Sequence, residues 1–395
     1  MNFYKRALEL KDETVYHRRY LHRNAESGLN MPVAKKYISQ RLAACGITPQ
    51  PCGFGITATI GSGKPVILLR ADMDALPMKE QSGEIFASTT DAAHTCGHDF
   101  HAAMLLTAAK MLKEQEDSIK GTVKLMFQPA EETLEGCRNM TDNGILHNPQ
   151  VDAALAFHVG AGRMPLGTYM YNAGGTMMLS ADNFCITIEG KGGHGAYPNL
   201  SINPINAAAH IYNAFNSIVC CEVDPQKTCM LSIGKFCGGE SGNVIPDSAV
   251  IEGAFRTDDA DTRRLLKRRI SEAATAVAEA FNARAYVHWL CGTPCLVCDR
   301  QFTEKIAGYM QELPLPQSAP IKDITASASE DFAHIAVQVP SAMIYISAGF
   351  DDDRGAFTAH NPKVRFNEDV CPIGAAAYAH CAARWLEENS GGDKF

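Results

Sequence analysis

The chain has 395 residues, of which 46% are hydrophobic and 20% charged, proportions typical of a globular protein with more than one core. The net charge of −8 and the lack of a long basic run argue against a nucleic-acid-binding protein. No apolar run is long enough to span a bilayer and the charged N-terminus has no apolar signal segment, so we expect a cytoplasmic protein that binds no membrane.

The N-terminal part of the chain predicts alternating helices and strands. Helical stretches are predicted within residues 4–45 and, with amphipathic spacing, over 100–116. Near-continuously apolar runs are typical of buried parallel strands. These runs are residues 65–70, 121–127, 151–157 and 341–347. The alternation indicates an α/β domain whose mainly parallel sheet is covered by helices on both faces.

The middle of the chain has a different pattern. Apolar and polar side chains alternate over residues 182–189, and 228–236 and 249–256 are also strand-like. Helical patterns at 203–220 and 262–281 separate these strands. This order predicts an α+β, ferredoxin-like plait with one sheet face covered by helices.

Two domains follow from these patterns. We predict that residues 1–180 and 294–395 form the α/β domain and that residues 181–293 form the inserted α+β domain.

Metal-binding residue types follow the ends of the predicted parallel strands. They are Asp72, Asp74, Glu131, Glu132, His158 and His360. Because ligands bind beyond the carboxyl ends of strands in open α/β sheets, we expect these side chains to meet at one edge of the sheet.

The segment His94–His101 places three histidines, a cysteine and an aspartate directly before a helical pattern. Cys96 and His98 are spaced so that both reach one ion from a single turn, and a helix N-terminus favours a thiolate. We expect His94 and His101 to surround the site and not to bind the ion.

The candidate ligands are Cys96, His98, Glu132, His158 and His360. Zinc suits these ligands best, with manganese, nickel and cobalt as alternatives. Five ligands exceed what one catalytic zinc takes, which favours two divalent metal ions bridged by Cys96. Glu131, beside the ligand Glu132, is the candidate general base.

Six motifs in order resemble the dinuclear-metal aminoacylase/carboxypeptidase family, in the amidohydrolase branch that contains hippurate hydrolases, auxin-conjugate amidohydrolases and N-acetyldiaminopimelate deacetylases. The motifs are Arg70–Pro77, His94–Asp99, Phe127–Glu132, Gly190–Ala196, Asn243–Pro246 and His360–Pro362. The resemblance covers nearly the whole chain.

The resemblance implies a metal-dependent amidohydrolase that cleaves N-acyl amino acids or small peptides. It matches the five ligands and Glu131 to the family's metal site, and Asp74 to a carboxylate near the metals. It places His194, which would stabilise the oxyanion, with Asn243 and Arg256 on the substrate side. The inserted domain would be a lid and would form a homodimer, with a tetramer as the alternative.

Three alternatives remain open at this point. The motifs do not distinguish an aminoacylase from a dipeptidase or carboxypeptidase of the same family, nor do they name the acyl group or amino acid. A non-catalytic ligand-binding relative is a further alternative. Cys291, Cys295 and Cys298 have a spacing that could hold an iron–sulfur cluster or a structural zinc.

Overall fold

The structure is a computed structural model that describes residues 2–315 and 320–391. Its α-helices are α1 (Phe3–Glu9), α2 (Lys11–Arg23), α3 (Pro32–Ala44), α4 (His98–Lys113), α5 (Gly136–Asp142), α6 (Pro204–Cys221), α7 (Ala260–Ala280), α8 (Arg300–Gln311), α9 (Ala333–Ala336) and α10 (Cys371–Asn389). Its strands are β1 (Gln50–Cys52), β2 (Gly55–Gly61), β3 (Val66–Asp72), β4 (Thr122–Gln128), β5 (Ala153–Gly160), β6 (Tyr169–Met170), β7 (Thr176–Met178), β8 (Ala181–Glu189), β9 (Gly193–His194), β10 (Cys229–Gly238), β11 (Val244–Ile245), β12 (Ser248–Thr257), β13 (Arg284–Thr293), β14 (Leu296–Val297) and β15 (Ser341–Ser347).

The described residues form two compact units. The first contains those within Met1–Met177, Val297–Thr325 and Asp331–Phe395. The second contains Met178–Leu296 and Ala326–Glu330. The short segment Ala326–Glu330 belongs to the second unit, whereas the sequence analysis places it in the first domain.

The first unit has a sheet with strand order β1-β2-β4-β3-β5-β15-β6. The central strands β4, β3, β5 and β15 run parallel, and the outer pairs are antiparallel. Every residue of β3 and of β4 is buried, as near-continuously apolar strands require. The predicted mainly parallel α/β domain is confirmed.

Helix α4 packs on this sheet. Its N-terminal end places Cys96 and His98 at the ends of the parallel strands. It begins at His98 because Gly97 takes a left-handed conformation with φ of 95°. A β-carbon at Gly97 would lie 2.5 Å from Cγ2 of Val159, so glycine also permits the close approach to β5. The helix is buried over most of its length and packs against α10, which fixes its first turn at the sheet edge.

The second unit has an antiparallel sheet with strand order β10-β12-β8-β13. Alternate residues of β8, namely Phe184, Ile186 and Ile188, are buried in a core that α6 and α7 complete. This order and its connections are those of the predicted ferredoxin-like plait. A separate two-residue ribbon pairs β9 with β11.

Among the residues that the structure describes, no helix has both the length and the apolar character needed to cross a membrane.

Candidate metal centre and active site

The five predicted ligands lie together in the first unit. Cys96, His98 and His158 form one trio whose ligand atoms all lie within 4.8 Å of one another. Within it, Sγ of Cys96 is 3.6 Å from Nε2 of His158. We call this set the histidine trio.

Cys96 also belongs to a second set, with Glu132 and His360, whose ligand atoms meet the same 4.8 Å limit. Nε2 of His360 is 3.5 Å from Oε1 of Glu132. We call this set the carboxylate trio. Two sets of donors that share one thiol have the composition of a site for two metal ions.

Glu131 lies beside both trios. Its Oε2 is 4.0 Å from Nε2 of His98, and the residue is 7% exposed. Ala130, directly before the two glutamates, has a φ of 54° and forms the tight turn after β4. Glu131 therefore reaches the ligands from the same turn that presents Glu132.

The two histidines of the histidine trio are held in a defined tautomer. Nδ1 of His98 lies 3.0 Å from the backbone oxygen of Asp74, and Nδ1 of His158 lies 2.8 Å from that of Val159. A carbonyl oxygen only accepts, so Nδ1 donates in both rings and Nε2 is the nitrogen left to bind a metal ion. The ring of Tyr345 stacks on His158 at 4.6 Å. Both Nε2 atoms are thereby presented as metal ligands.

Asp74 contacts one residue of each trio. Its Oδ2 accepts a hydrogen bond from the backbone N–H of Glu132 at 3.1 Å, and its Oδ1 is 3.4 Å from Nδ1 of His98. Asp74 therefore joins a residue of each trio without belonging to either of them.

Three buried polar atoms at the site have no hydrogen-bond partner among the described residues. They are Nε2 of His98, Oε1 of Glu132 and Oδ1 of Asp74. Buried polar atoms are almost always paired, so such a cluster requires an explanation. An imidazole nitrogen and a carboxylate oxygen next to a thiol have the donor chemistry of a transition-metal site, and the residues therefore fit the implied metal ions.

Burial controls ionisation at the site. It raises the pKa of the Cys96 thiol, raises the pKa of Glu132 to about 7 and lowers the pKa of His158 well below its usual range. Desolvation is the largest cause of the raised pKa of Cys96, and the neighbouring His98 acts in the opposite direction. Burial favours uncharged ligands, and positive charge at the site would favour the thiolate and the carboxylate.

Asp72, expected only as one of the side chains at the sheet edge, is a hydrogen-bond acceptor at the centre of this region. It is fully buried and accepts hydrogen bonds from Arg70 at 2.7 Å and from Nδ1 of His101 at 2.5 Å. Its Oδ2 is 3.7 Å from Nε2 of His98. The one signal in the sequence is its place at the end of β3, two residues before Asp74.

The remaining predicted site residues lie in the second unit. His194 and Asn243 are exposed neighbours on the β9–β11 ribbon, where the N–H of Gly195 donates to the backbone oxygen of Asn243 at 2.9 Å. Arg256 lies on β12 and donates to Oγ of Ser329 at 2.5 Å.

The cysteine-rich segment shows no metal-binding arrangement. None of the metal-capable clusters within residues 2–315 and 320–391 includes Cys291, Cys295 or Cys298. Cys295 is buried and donates to the backbone oxygen of Thr257 at 3.3 Å. These thiols therefore have the environment of packing residues.

Comparisons with known proteins show the family of the chain. The model of peptidase family M20/M25/M40 matches residues 68–384. An N-acetyl-L-cysteine deacetylase of Bacillus subtilis is 34% identical over 96% of this chain and 90% of its own length. The IAA-amino acid hydrolase ILR1-like 2 of Arabidopsis thaliana is 35% identical over 97% of this chain and 87% of its own length.

A solved structure is similar over the whole fold. The Bacillus subtilis YXEP protein, described as a dinuclear metal binding peptidase from the M20 family, superposes with a TM-score of 0.78 at 28% identity, covering 96% of this chain and 99% of that one. Residues 68–384, which the family model matches, contain all five predicted ligands. The chain therefore belongs to peptidase family M20/M25/M40 and is a metal-dependent amidohydrolase of that family.

Proposed function

We propose that this protein hydrolyses the amide bond of N-acyl amino acids at a centre of two divalent metal ions. The observation that carries the proposal is the pair of ligand trios that share Cys96, with the Glu131 carboxylate 4.0 Å from His98. The relatives support this substrate class, because they include an N-acetyl-L-cysteine deacetylase and an IAA-amino acid hydrolase.

The histidine trio and the carboxylate trio would hold the two ions, and zinc is the metal that we propose. A thiol and imidazole nitrogens suit a borderline cation, whereas a harder ion prefers oxygen ligands alone. Two ions held in this way polarise a carbonyl group and make a nearby water more acidic.

Glu131 transfers a proton in the proposed reaction. Its carboxylate takes a proton from the water that attacks the amide carbon, and it returns that proton to the leaving nitrogen as the C–N bond breaks. Its buried position keeps bulk water from competing for the proton. Asp74 fixes Glu132 and His98, which keeps the ligands in place while the proton moves.

We further propose that His194 stabilises the oxyanion and that Asn243 and Arg256 contact the substrate. His194 is exposed on its ribbon, which leaves the imidazole accessible to a ligand. In a homodimer formed through the second unit, the partner's His194 would complete each site. Large exposed apolar side chains on this unit support such an interface. They are Tyr197, Leu200, Val244 and Leu290.

A cytoplasmic location is part of the proposal. All 14 cysteines are free thiols, and a reducing compartment preserves free thiols.

A substrate panel tests the proposed function. The metal-free protein is loaded in turn with zinc, manganese, nickel or cobalt and assayed on N-acetyl amino acids, N-benzoyl amino acids and dipeptides. We expect metal-dependent release of a free amino acid from N-acyl substrates, with the highest kcat/KM in this class. Preferential turnover of dipeptides would make the protein a dipeptidase, and no metal-dependent turnover of any substrate would contradict the proposal.

A further inference from the structure

His101 is fully buried and uses both ring nitrogens. Nε2 accepts a hydrogen bond from the backbone N–H of Val159 at 2.8 Å, so this nitrogen carries no proton. Nδ1 therefore carries the proton and donates it to Oδ1 of Asp72 at 2.5 Å. His101 is thus bonded to the ends of both β3 and β5, while its own backbone lies in the first turn of α4.

The strands β3 and β5 separate at the place where His101 binds. Their pairing ends at Arg70 and Ala156, whereas β15 continues to pair with β5 as far as Gly160. Beyond that point, side chains bind the backbone amides of β5. The Tyr378 hydroxyl accepts from Phe157 at 3.3 Å, and His101 accepts from Val159. Because a buried N–H needs a partner, these side chains replace the missing ladder bonds.

His101 lies beside the histidines of the histidine trio and, within the residues that the structure describes, makes no hydrogen bond to Glu132 or His360 of the carboxylate trio. Its ring centroid lies 4.5 Å from that of His158 and 5.3 Å from that of His98. Its hydrogen bonds go to Asp72 and Val159, and neither Glu132 nor His360 is among its partners in the described chain.

We propose that His101 is a positioning residue that sets the metal affinity of the histidine trio. It holds the helix that presents His98 and the strand that presents His158 at a fixed separation. This inference rests on the proposed function, because it assumes that the trio binds a metal ion. Groups that orient metal ligands typically change metal affinity about 10–100-fold when they are removed.

Two substitutions separate the two bonds of His101. In His101→Asn, the short side-chain amide can still donate toward Asp72 but no longer reaches Val159. In His101→Gln, the longer amide places an oxygen that can accept from Val159. His17→Asn is the matched control, since His17 is also buried and hydrogen-bonded through Nδ1, to Tyr37 at 2.7 Å, but contacts neither trio.

The test is calorimetric titration of zinc into the metal-free protein, with cobalt absorption spectra as a second readout. For the wild type we expect two binding steps. His101→Asn should weaken one step by about 10–100-fold and change the other by less than about threefold. His101→Gln should weaken the same step by a smaller factor, and His17→Asn should change neither.

The outcomes are distinguishable. Failure of the wild type to bind zinc would contradict the proposed function, and the inference with it. If the wild type binds two ions, unchanged affinities in His101→Asn, or an equal loss in both steps, would overturn the inference alone. If His101→Asn does not fold, His101→Gln is decisive: selective weakening of one step supports the inference, and unchanged affinities there overturn it.

Discussion

His98 donates a hydrogen bond from Nδ1 to the backbone oxygen of Asp74, 3.0 Å away, and this bond leaves Nε2 of His98 buried without a partner. The bond determines both the tautomer and the direction of the ring. A buried nitrogen without a hydrogen-bond partner destabilises the folded protein, and a bound metal ion removes this destabilisation. The arrangement therefore connects the stability of the fold with metal binding.

Metal removal should destabilise the protein. A ligand present at about 1,000 times its Kd stabilises the folded state by about 4 kcal/mol. Calorimetric melting of the zinc-loaded protein should therefore occur at higher temperature than melting after chelation. Cys96→Ala removes the ligand that both trios share, so the difference between the two melting temperatures should largely disappear in this variant.

Gly136 controls the turn that presents Glu131 and Glu132. A β-carbon at this position would lie 1.5 Å from the backbone oxygen of Pro129, so the turn must move in Gly136→Ala. Overpacking of this kind costs about 1–3 kcal/mol. Urea denaturation should show this loss, and zinc affinity should fall with it.

The control for Gly136→Ala is Gly308→Ala. Gly308 lies in α8 and a β-carbon there meets nothing within 4 Å. Alanine should stabilise this helix by about 0.5–1 kcal/mol and leave zinc binding unchanged. Equal effects of the two substitutions would show that the turn does not depend on glycine.

The buried His17 should make the free energy of unfolding depend on pH in the acid range. Burial lowers the pKa of His17 from 6.5 to about 4, although Glu13 favours the charged form and Arg41 and Lys110 oppose it. The unfolded chain therefore binds the proton first as the pH falls. The contribution of His17 to the free energy of unfolding is therefore greatest above pH 6.5 and decreases as the pH falls between the two pKa values. Below both pKa values, it is lower by about 3 kcal/mol.

Unfolding free energies of the wild type and His17→Gln at several pH values test this contribution. The difference between the two proteins should change between pH 6.5 and 4, in the direction that makes the variant less sensitive to acid. A difference that stays constant over this interval would show that the histidine titrates alike in the folded and unfolded chains.

If the partner's His194 completes each active site, two inactive variants should restore activity when they form a mixed dimer. In a mixture of His194→Ala and Glu131→Gln chains, a mixed dimer has one site with an intact Glu131 and the partner's His194. Random pairing should restore about a quarter of wild-type activity. Activity that remains at the level of the separate variants, although mixed dimers form, would indicate that one chain builds each site.

The strands that bear the ligands could be predicted because their apolar runs are unbroken. The antiparallel strand β2 was not predicted, since Gly55–Gly61 alternates small and hydroxyl residues with only two isoleucines. Helix α10 was also missed, because Cys371–Asn389 is rich in alanine and buried on most sides, and thus shows little periodicity.

The ligand set followed from local motifs, but the surroundings of the ligands did not. The bond between Asp72 and His101 depends on how α4 packs on β3, and no local spacing records this packing. The pKa of the Cys96 thiol is likewise a property of the folded environment, since burial of the side chain raises it.

The turnover of Glu131→Gln in protein with a measured metal content is the most direct test of the account. We expect two bound ions, as in the wild type, and a kcat that is about 10²–10⁴-fold lower, because the amide cannot accept the proton. Glu135→Gln, which removes an exposed glutamate from the same turn, should leave kcat unchanged. Wild-type turnover by a Glu131→Gln protein that retains both ions would contradict the proposed mechanism.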